Sequence, residues 1–256
     1  MGADTKPETL WYFAYGSNMS STKFTGSRGV VPLDTARVRV PHWEMLTEIP
    51  GLPYSEPAFS SLKPRDAASA ENVGTPDAVG VAYLITAEQY RNIIASEGGG
   101  TAYADIEITG KGISAADQKK IENGKPMRTL GSSAMTRVPP PAPSLRYMDL
   151  LINGAAEAHL PLEYQAYLES ITPYNPPTTW WPKVGASLFL ALWGPVMGLL
   201  EKITNSSIGP DGNAPPCVVW LVRSTLMLIW LVHDWIFAPV FGPGDGRSSE
   251  KQIVCI

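Results

Sequence analysis

Up to Ile171 the chain runs in short stretches of alternating apolar and polar residues broken by Gly and Pro, and two long apolar runs follow. The first stretch, Trp11-Tyr12-Phe13-Ala14-Tyr15, leads into Gly16-Ser17-Asn18 and reads as a strand ending in a turn. On such a strand Tyr12, Ala14 and Gly16 share one side, and Phe13, Tyr15 and Ser17 the other. Ser17 and Asn18 are placed to cap a helix over 19–24. Thr35 to Val40 alternates Arg with apolar residues, as a half-buried strand does, and Trp43 to Leu46 would continue it past Pro41. Between Glu48 and Ala78, Pro, Ser and Ala dominate, which predicts loops around one short strand near 58–62.

Val79 to Ile85 reads as a strand, after which Thr86 opens a helix as a hydroxyl cap, with Tyr90, Ile93 and Ile94 on one face and Glu97 at its end. Strands are expected over 103–109 and 127–136, separated by a polar surface excursion over 113–123. Pro139 to Pro143 makes a stiff spacer before a helix at Tyr147. Together these elements predict an α+β fold built on a small mixed sheet with flanking helices.

At 256 residues the chain can hold one ample core with an appendage. A net charge of −4 with scattered Lys and Arg argues against a nucleic-acid partner. Cys217 and Cys255 supply neither a disulfide framework nor a zinc site, which suits a cytoplasmic protein. Met1 to Glu8 lacks the apolar core of a secretory signal, and Val254-Cys255-Ile256 is not a prenylation box. His42, His159 and His233 stand far apart with no ligand-like partner at helical spacing, so neither a metal nor a Cys-His nucleophile is expected. Gly98-Gly99-Gly100 lacks the pattern of a nucleotide-binding loop, and no cofactor is expected.

The Tyr15-Gly16-Ser17 turn offers backbone N–H groups to a ligand, although on local chemistry alone it is equally an ordinary strand end. Composition alone makes Glu97 a surface glutamate at a helix terminus, and makes Tyr147 a core residue.

Taken in order, three segments change that balance: Tyr15-Gly16-Ser17-Asn18; Ser96-Glu97-Gly98-Gly99-Gly100 after a strand and short helix; and Pro143-Ser144-Leu145-Arg146-Tyr147 followed by Leu160-Pro161-Leu162-Glu163-Tyr164. Over Leu10 to Ile171 the chain resembles the γ-glutamyl cyclotransferase family, with fungal members of epipolythiodioxopiperazine (gliotoxin-type) toxin pathways the nearest likeness. The resemblance implies a sheet curled into a partial barrel and release of 5-oxoproline from a γ-glutamyl, glutathione-derived substrate. It implies Glu97 as the catalytic acid/base, and Tyr12, Phe13, Ala14, Tyr15, Gly16, Ser17 and Tyr147 as the residues holding the γ-glutamyl group. Glycines and apolar neighbours around Glu97 would strip solvent from it and raise its pKa toward that of a general base. Tyr103 stands where the family has a tyrosine after the glutamate, across a loop that is a residue shorter here. Glu163, Tyr164 and Tyr167 read as structural. A γ-glutamylamine cyclotransferase, a pathway cyclase or a non-catalytic scaffold of the same fold are the alternatives.

Val184 to Leu200 and Cys217 to Val232 are apolar around a polar turn and predict a hydrophobic helical hairpin. Each run is near the ~20 residues that span a bilayer, yet Pro195 breaks the first, and Arg223, His233 and Asp234 compromise the second. The hairpin either meets a membrane through 184–240 or packs on the catalytic domain. The expected division is a disordered N-terminus over 1–9, a catalytic domain over 10–175, the hairpin over 176–242 and a polar tail over 243–256. Oligomeric state is left open.

Overall fold

The computed structural model describes residues 7–66, 75–122, 124–132 and 135–247. Its strands are β1 (Thr9–Ala14), β2 (Asp34–Val40), β3 (Trp43–Leu52), β4 (Glu56–Pro64), β5 (Ala78–Thr86), β6 (Tyr103–Ile108), β7 (Lys111–Gly112) and β8 (Met127–Ser132). Its α-helices are α1 (Ala87–Ser96), α2 (Ala115–Lys120), α3 (Leu145–Glu157), α4 (Leu162–Ser170), α5 (Trp180–Ser207), α6 (Pro216–Val232) and α7 (Ala238–Phe241). Six strands form one mixed sheet in the order β6-β8-β1-β5-β2-β7, and β3 and β4 form a separate hairpin. The class is α+β, as the alternation predicts. The sheet ends at β6 and β7, so its ladder is open.

β1 lies inside the sheet, antiparallel to β5 and parallel to β8. Trp11, Tyr12, Phe13 and Ala14 are all buried, so both faces of the strand are covered. A Cβ on Gly80 of β5 would come 2.2 Å from the Ala14 carbonyl oxygen and 3.0 Å from the Phe13 ring. Only glycine fits this close approach.

Three local expectations are corrected. The helix over 19–24 is instead a 3-10 turn at Ser17–Met19 followed by a π-turn at Thr22–Ser27, and neither Ser17 nor Asn18 caps it. Trp43 to Leu46 does not extend β2, because His42 turns the chain with φ +64° into a second sheet. The short strand expected near 58–62 is present as part of β4, but the loop expected before it is the rest of β3; a register shift between Leu46 and Ile49 breaks the period-two signal there. Within the polar excursion Ser114 caps α2, its hydroxyl accepting from Asp117 N–H at 3.1 Å. The strand expected over 127–136 stops at Ser132, and 133–134 lie outside the described residues. So do 1–6 and 248–256 of the expected termini, although Thr9 already belongs to β1.

The cap of α1 is as predicted: Gln89 N–H donates to the Thr86 hydroxyl at 3.2 Å and Thr86 N–H to the Gln89 side chain at 3.0 Å. α3 crosses the turn after β1, where a Cβ on Gly154 would meet Ser20 N at 2.7 Å. Tyr164 is buried and the Tyr167 hydroxyl donates to Met45 O at 3.1 Å, so α4 is structural.

α5 and the helical run Pro216–Phe241, from α6 through α7, are long and apolar enough, by length and composition, to cross a membrane. Here their inner faces pack on the rest of the fold through Tyr54, Phe189, Leu226 and Ile229. The polar groups of the hairpin also turn inward. Trp230 Nε1–H donates to Gly51 O at 3.0 Å, and Arg137 pairs with Asp234 at 2.6 Å. His233 is fully buried; its Nε2 accepts from Gly244 N–H at 2.9 Å, which leaves the proton on Nδ1, 2.8 Å from Asp234. The outer faces expose Leu188, Leu192, Trp220, Met227 and Trp235.

Candidate functional site

Where β1 runs into its turn, a cavity of about 990 Å³ opens between the sheet, the β3–β4 hairpin and the apolar helices. It is near the upper end of the ~300–1,000 Å³ that holds a drug-sized ligand. Tyr12, Tyr15, Gly16, Ser17, Glu97 and Tyr147 all line it, so one wall gathers six of the eight residues singled out in the sequence. Both faces of the β1 segment reach the cavity because the strand ends at Ala14 and the turn rotates Tyr15 to Ser17 inward. Phe13 and Ala14 are not brought to the cavity lining; both are packed in the core.

Gly16 has φ −110°, which any residue adopts; what it requires is space, since a Cβ would stand 2.5 Å from the Ser60 hydroxyl. Among the described residues the Gly16 and Ser17 N–H groups meet no protein acceptor. They are donors beside the cavity.

Glu97 terminates α1, and its N–H still bonds to Ile93 O at 3.0 Å. The surroundings of its carboxylate differ from the apolar pocket expected. Oε1 accepts from Asn18 Nδ2 at 3.1 Å and is paired with the guanidinium of Arg28, whose side chain is nearly buried. Arg28 Nε also donates to Asn18 Oδ1 at 2.8 Å, so the carboxylate, the amide and the guanidinium form a closed triangle. Asn18 donates as well to the Tyr12 hydroxyl at 2.9 Å. Sequence reasoning used Asn18 as a helix cap and as the end of the Tyr15-Gly16-Ser17-Asn18 motif, without a partner at Glu97, and missed Arg28; no spacing links Arg28 to Glu97, and only the fold brings them together.

Tyr147 begins α3, where the Ser144 hydroxyl caps its N–H at 3.1 Å. Its own hydroxyl lies 2.7 Å from Ser60 Oγ and accepts from Ser60 N–H at 3.2 Å. Burial pushes the Tyr147 phenol up to about 12, against the lowering effect of the Ser60 bonds. Burial likewise raises Tyr12, Tyr15 and Tyr103, the last of which the structure does place on the cavity wall. These phenols are neutral hydroxyls at physiological pH. Lys23 and Arg146 add cationic groups to the lining, and burial lowers the Lys23 pKa.

The far wall comes from the hairpin, a contribution the sequence left undecided between membrane and protein. Met197, Leu200, Glu201 and Thr204 of α5, with Val222 and Leu226 of α6, face the same cavity. Among the described residues no group of three or more His, Cys, Asp or Glu side chains converges as a metal site.

Comparison with known proteins finds relatives along most of the chain. A family model described as the AclK C-terminal domain matches residues 179–240, the span from α5 to α7. The chain is 39% identical over 247 residues to the γ-glutamyl cyclotransferase aclK of Aspergillus oryzae, covering 93% of this chain and 90% of that one. It is 34% identical over 259 residues to the γ-glutamyl cyclotransferase gliK of Aspergillus fumigatus, covering 95% and 92%. Among solved structures, an uncharacterized human protein superposes with a TM-score of 0.51 at 20% identity, over 68% of this chain and 93% of its own. A structure named γ-glutamyl cyclotransferase gives 0.50 at 19% identity, over 68% and 93%. With these relatives matched along nearly their whole length, the chain belongs to the γ-glutamyl cyclotransferase family.

Proposed function

We propose that the cavity binds the γ-glutamyl group of a glutathione-derived compound and releases it as 5-oxoproline, within a secondary-metabolite toxin pathway. The observation that carries this reading is the Glu97 carboxylate, held by Asn18 of the turn at the edge of a large cavity. The α-amine nitrogen of the glutamyl group attacks its own γ-carbonyl carbon, and the bond from that carbon to the leaving nitrogen breaks. Glu97 takes the proton from the attacking amine and passes it to the departing one, so no water is consumed. The free N–H groups of Gly16 and Ser17 are suited to the oxyanion or to the glutamyl carboxylate. Lys23 and Arg146, the cationic groups of the lining, are suited to the substrate carboxylates, while Arg28 stays paired with Glu97. The neutral Tyr147 and Tyr12 hydroxyls orient the chain.

The test is 5-oxoproline release from γ-glutamyl dipeptides, glutathione and a glutathione S-conjugate by wild type and Glu97→Gln. Release by wild type that the substitution abolishes is the expected result. Equal release by both would remove Glu97 from the chemistry, and a folded wild type inert on all of them would favour the scaffold alternative.

The outer face of the hairpin, we propose, rests on a lipid surface without crossing it. Exposed Trp180, Trp220 and Trp235 suit a bilayer interface, whereas Arg223, His233 and Asp234 are engaged on the protein side. Co-flotation of the full chain with vesicles, lost in Trp220→Ser/Trp235→Ser, checks it; no flotation of wild type rejects it.

A further inference from the structure

Several polar contacts of the α5–α6 hairpin converge on the glycine run that follows Glu97. Gly98, Gly99 and Gly100 have φ of +89°, +55° and +82°. Such a run has no side chains to pack and many alternative conformations open to it, so something outside it must select this one. The hairpin supplies the contacts. Ala214 N–H donates to Gly99 O at 2.9 Å. Arg223, the one charged residue of α6, donates from Nε to Thr101 O at 2.8 Å and from Nη2 to Gly100 O at 3.1 Å.

The fit is close on both sides. A Cβ on Gly99 would stand 2.8 Å from Ala214 N, and one on Gly212 2.5 Å from Arg91 O in α1. The connecting loop therefore abuts the helix that carries Glu97 as well as the glycines after it. A guanidinium on an apolar helix is costly unless its donors are used, and here they grip two consecutive carbonyls as a fork, a geometry that an ammonium cannot reproduce.

We infer that Arg223 is a positioning residue for Glu97: the hairpin braces the Gly98–Thr101 segment, so that Glu97 and the adjoining wall of Thr101, Ala102 and Tyr103 keep their place around the cavity. The brace acts from the C-terminal side of Glu97, while Asn18 and Arg28 orient its carboxylate. The inference rests on the role given to Glu97 above. It makes the apolar hairpin part of the catalytic apparatus rather than an attachment to it.

The test compares full-length wild type, Arg223→Leu and Arg223→Lys by 5-oxoproline kinetics, melting temperature and amide hydrogen exchange. In Arg223→Leu, kcat is expected to fall about 10- to 100-fold with KM changed less than about twofold, the signature of a misplaced catalytic group. Arg223→Lys recovers part of the loss. Exchange at 98–101 accelerates while β1 and β5 keep their protection. Unchanged kcat with unchanged loop exchange overturns the inference, as does acceleration spread over the whole sheet, which marks general destabilisation. Should the wild type release no 5-oxoproline from any substrate, the reading of Glu97 fails, and loop exchange still decides the brace: local acceleration supports it, and none overturns it.

Discussion

The side-chain amide of Asn18 donates both to the Glu97 carboxylate, at 3.1 Å, and to the Tyr12 hydroxyl, at 2.9 Å, while its oxygen accepts from Arg28 Nε at 2.8 Å. One buried residue thus ties the turn, strand β1 and helix α1 to the candidate base. Asn18→Leu removes these bonds and leaves three polar partners short. A hydrogen bond to a charged group contributes about 1.5–3 kcal/mol, so kcat/KM is expected to drop about 10- to 100-fold. Steady-state kinetics beside Asn18→Ala, which separates lost bonds from added bulk, provide the measurement.

Gly16→Ala tests the space at the turn. The new methyl would press on the Ser60 hydroxyl at 2.5 Å and disturb the partner of Tyr147. Melting temperature should fall, because overpacking costs about 1–3 kcal/mol. Combining the change with Ser60→Gly makes room and restores stability.

Tyr147→Phe keeps the ring against Phe59 and deletes the hydroxyl. Ser60 then loses its partner inside the cavity wall. A KM increase of about five- to tenfold with kcat nearly unchanged is expected for a group that binds without touching the reaction coordinate. An equal loss in kcat would assign the hydroxyl to the chemistry instead.

Asp117 anchors α2 to the edge of the sheet. Burial acts to raise its pKa, but bonds from Ser114 and from the Arg37 backbone and side chain outweigh it and hold the carboxyl below its ordinary value. A depressed folded-state pKa gives stability that is present above the unfolded carboxylate range and is lost as pH falls through the folded value. Thermal unfolding from neutral pH down to about 3 should therefore show wild type losing stability on acidification. Asp117→Asn should start lower at neutral pH and lose less.

What the sequence disclosed was local. The α1 cap needs only Thr86 and Gln89, three residues apart, and the turn at Gly16 announces itself by its neighbours. The aromatic alternation of Trp11 to Tyr15 identified a strand, but not that it lies inside the sheet, buried on both sides, with Phe13 and Ala14 away from the cavity lining. Parts of β3 and β4 were read as strand, but their full length and pairing escaped because the register shift interrupts the period on which strand reading depends. Arg28 and Arg223 were illegible as site residues for a different reason. Their partners are distant in sequence, and a lone arginine carries no spacing. The two apolar helices were legible as helices, yet apolarity reads the same whether lipid or protein covers it.

Gly99 and Ala214 meet across a separation of more than a hundred residues, with consequences for how the molecule is made. Synthesis delivers the glutamate and its glycine run early and the segment that clasps them late. On the brace inferred for Arg223, a chain on the ribosome with its sheet already paired would still lack the clasp on the segment after Glu97. Activity would then await the docking of the last helices, and prematurely terminated chains would turn over γ-glutamyl compounds poorly.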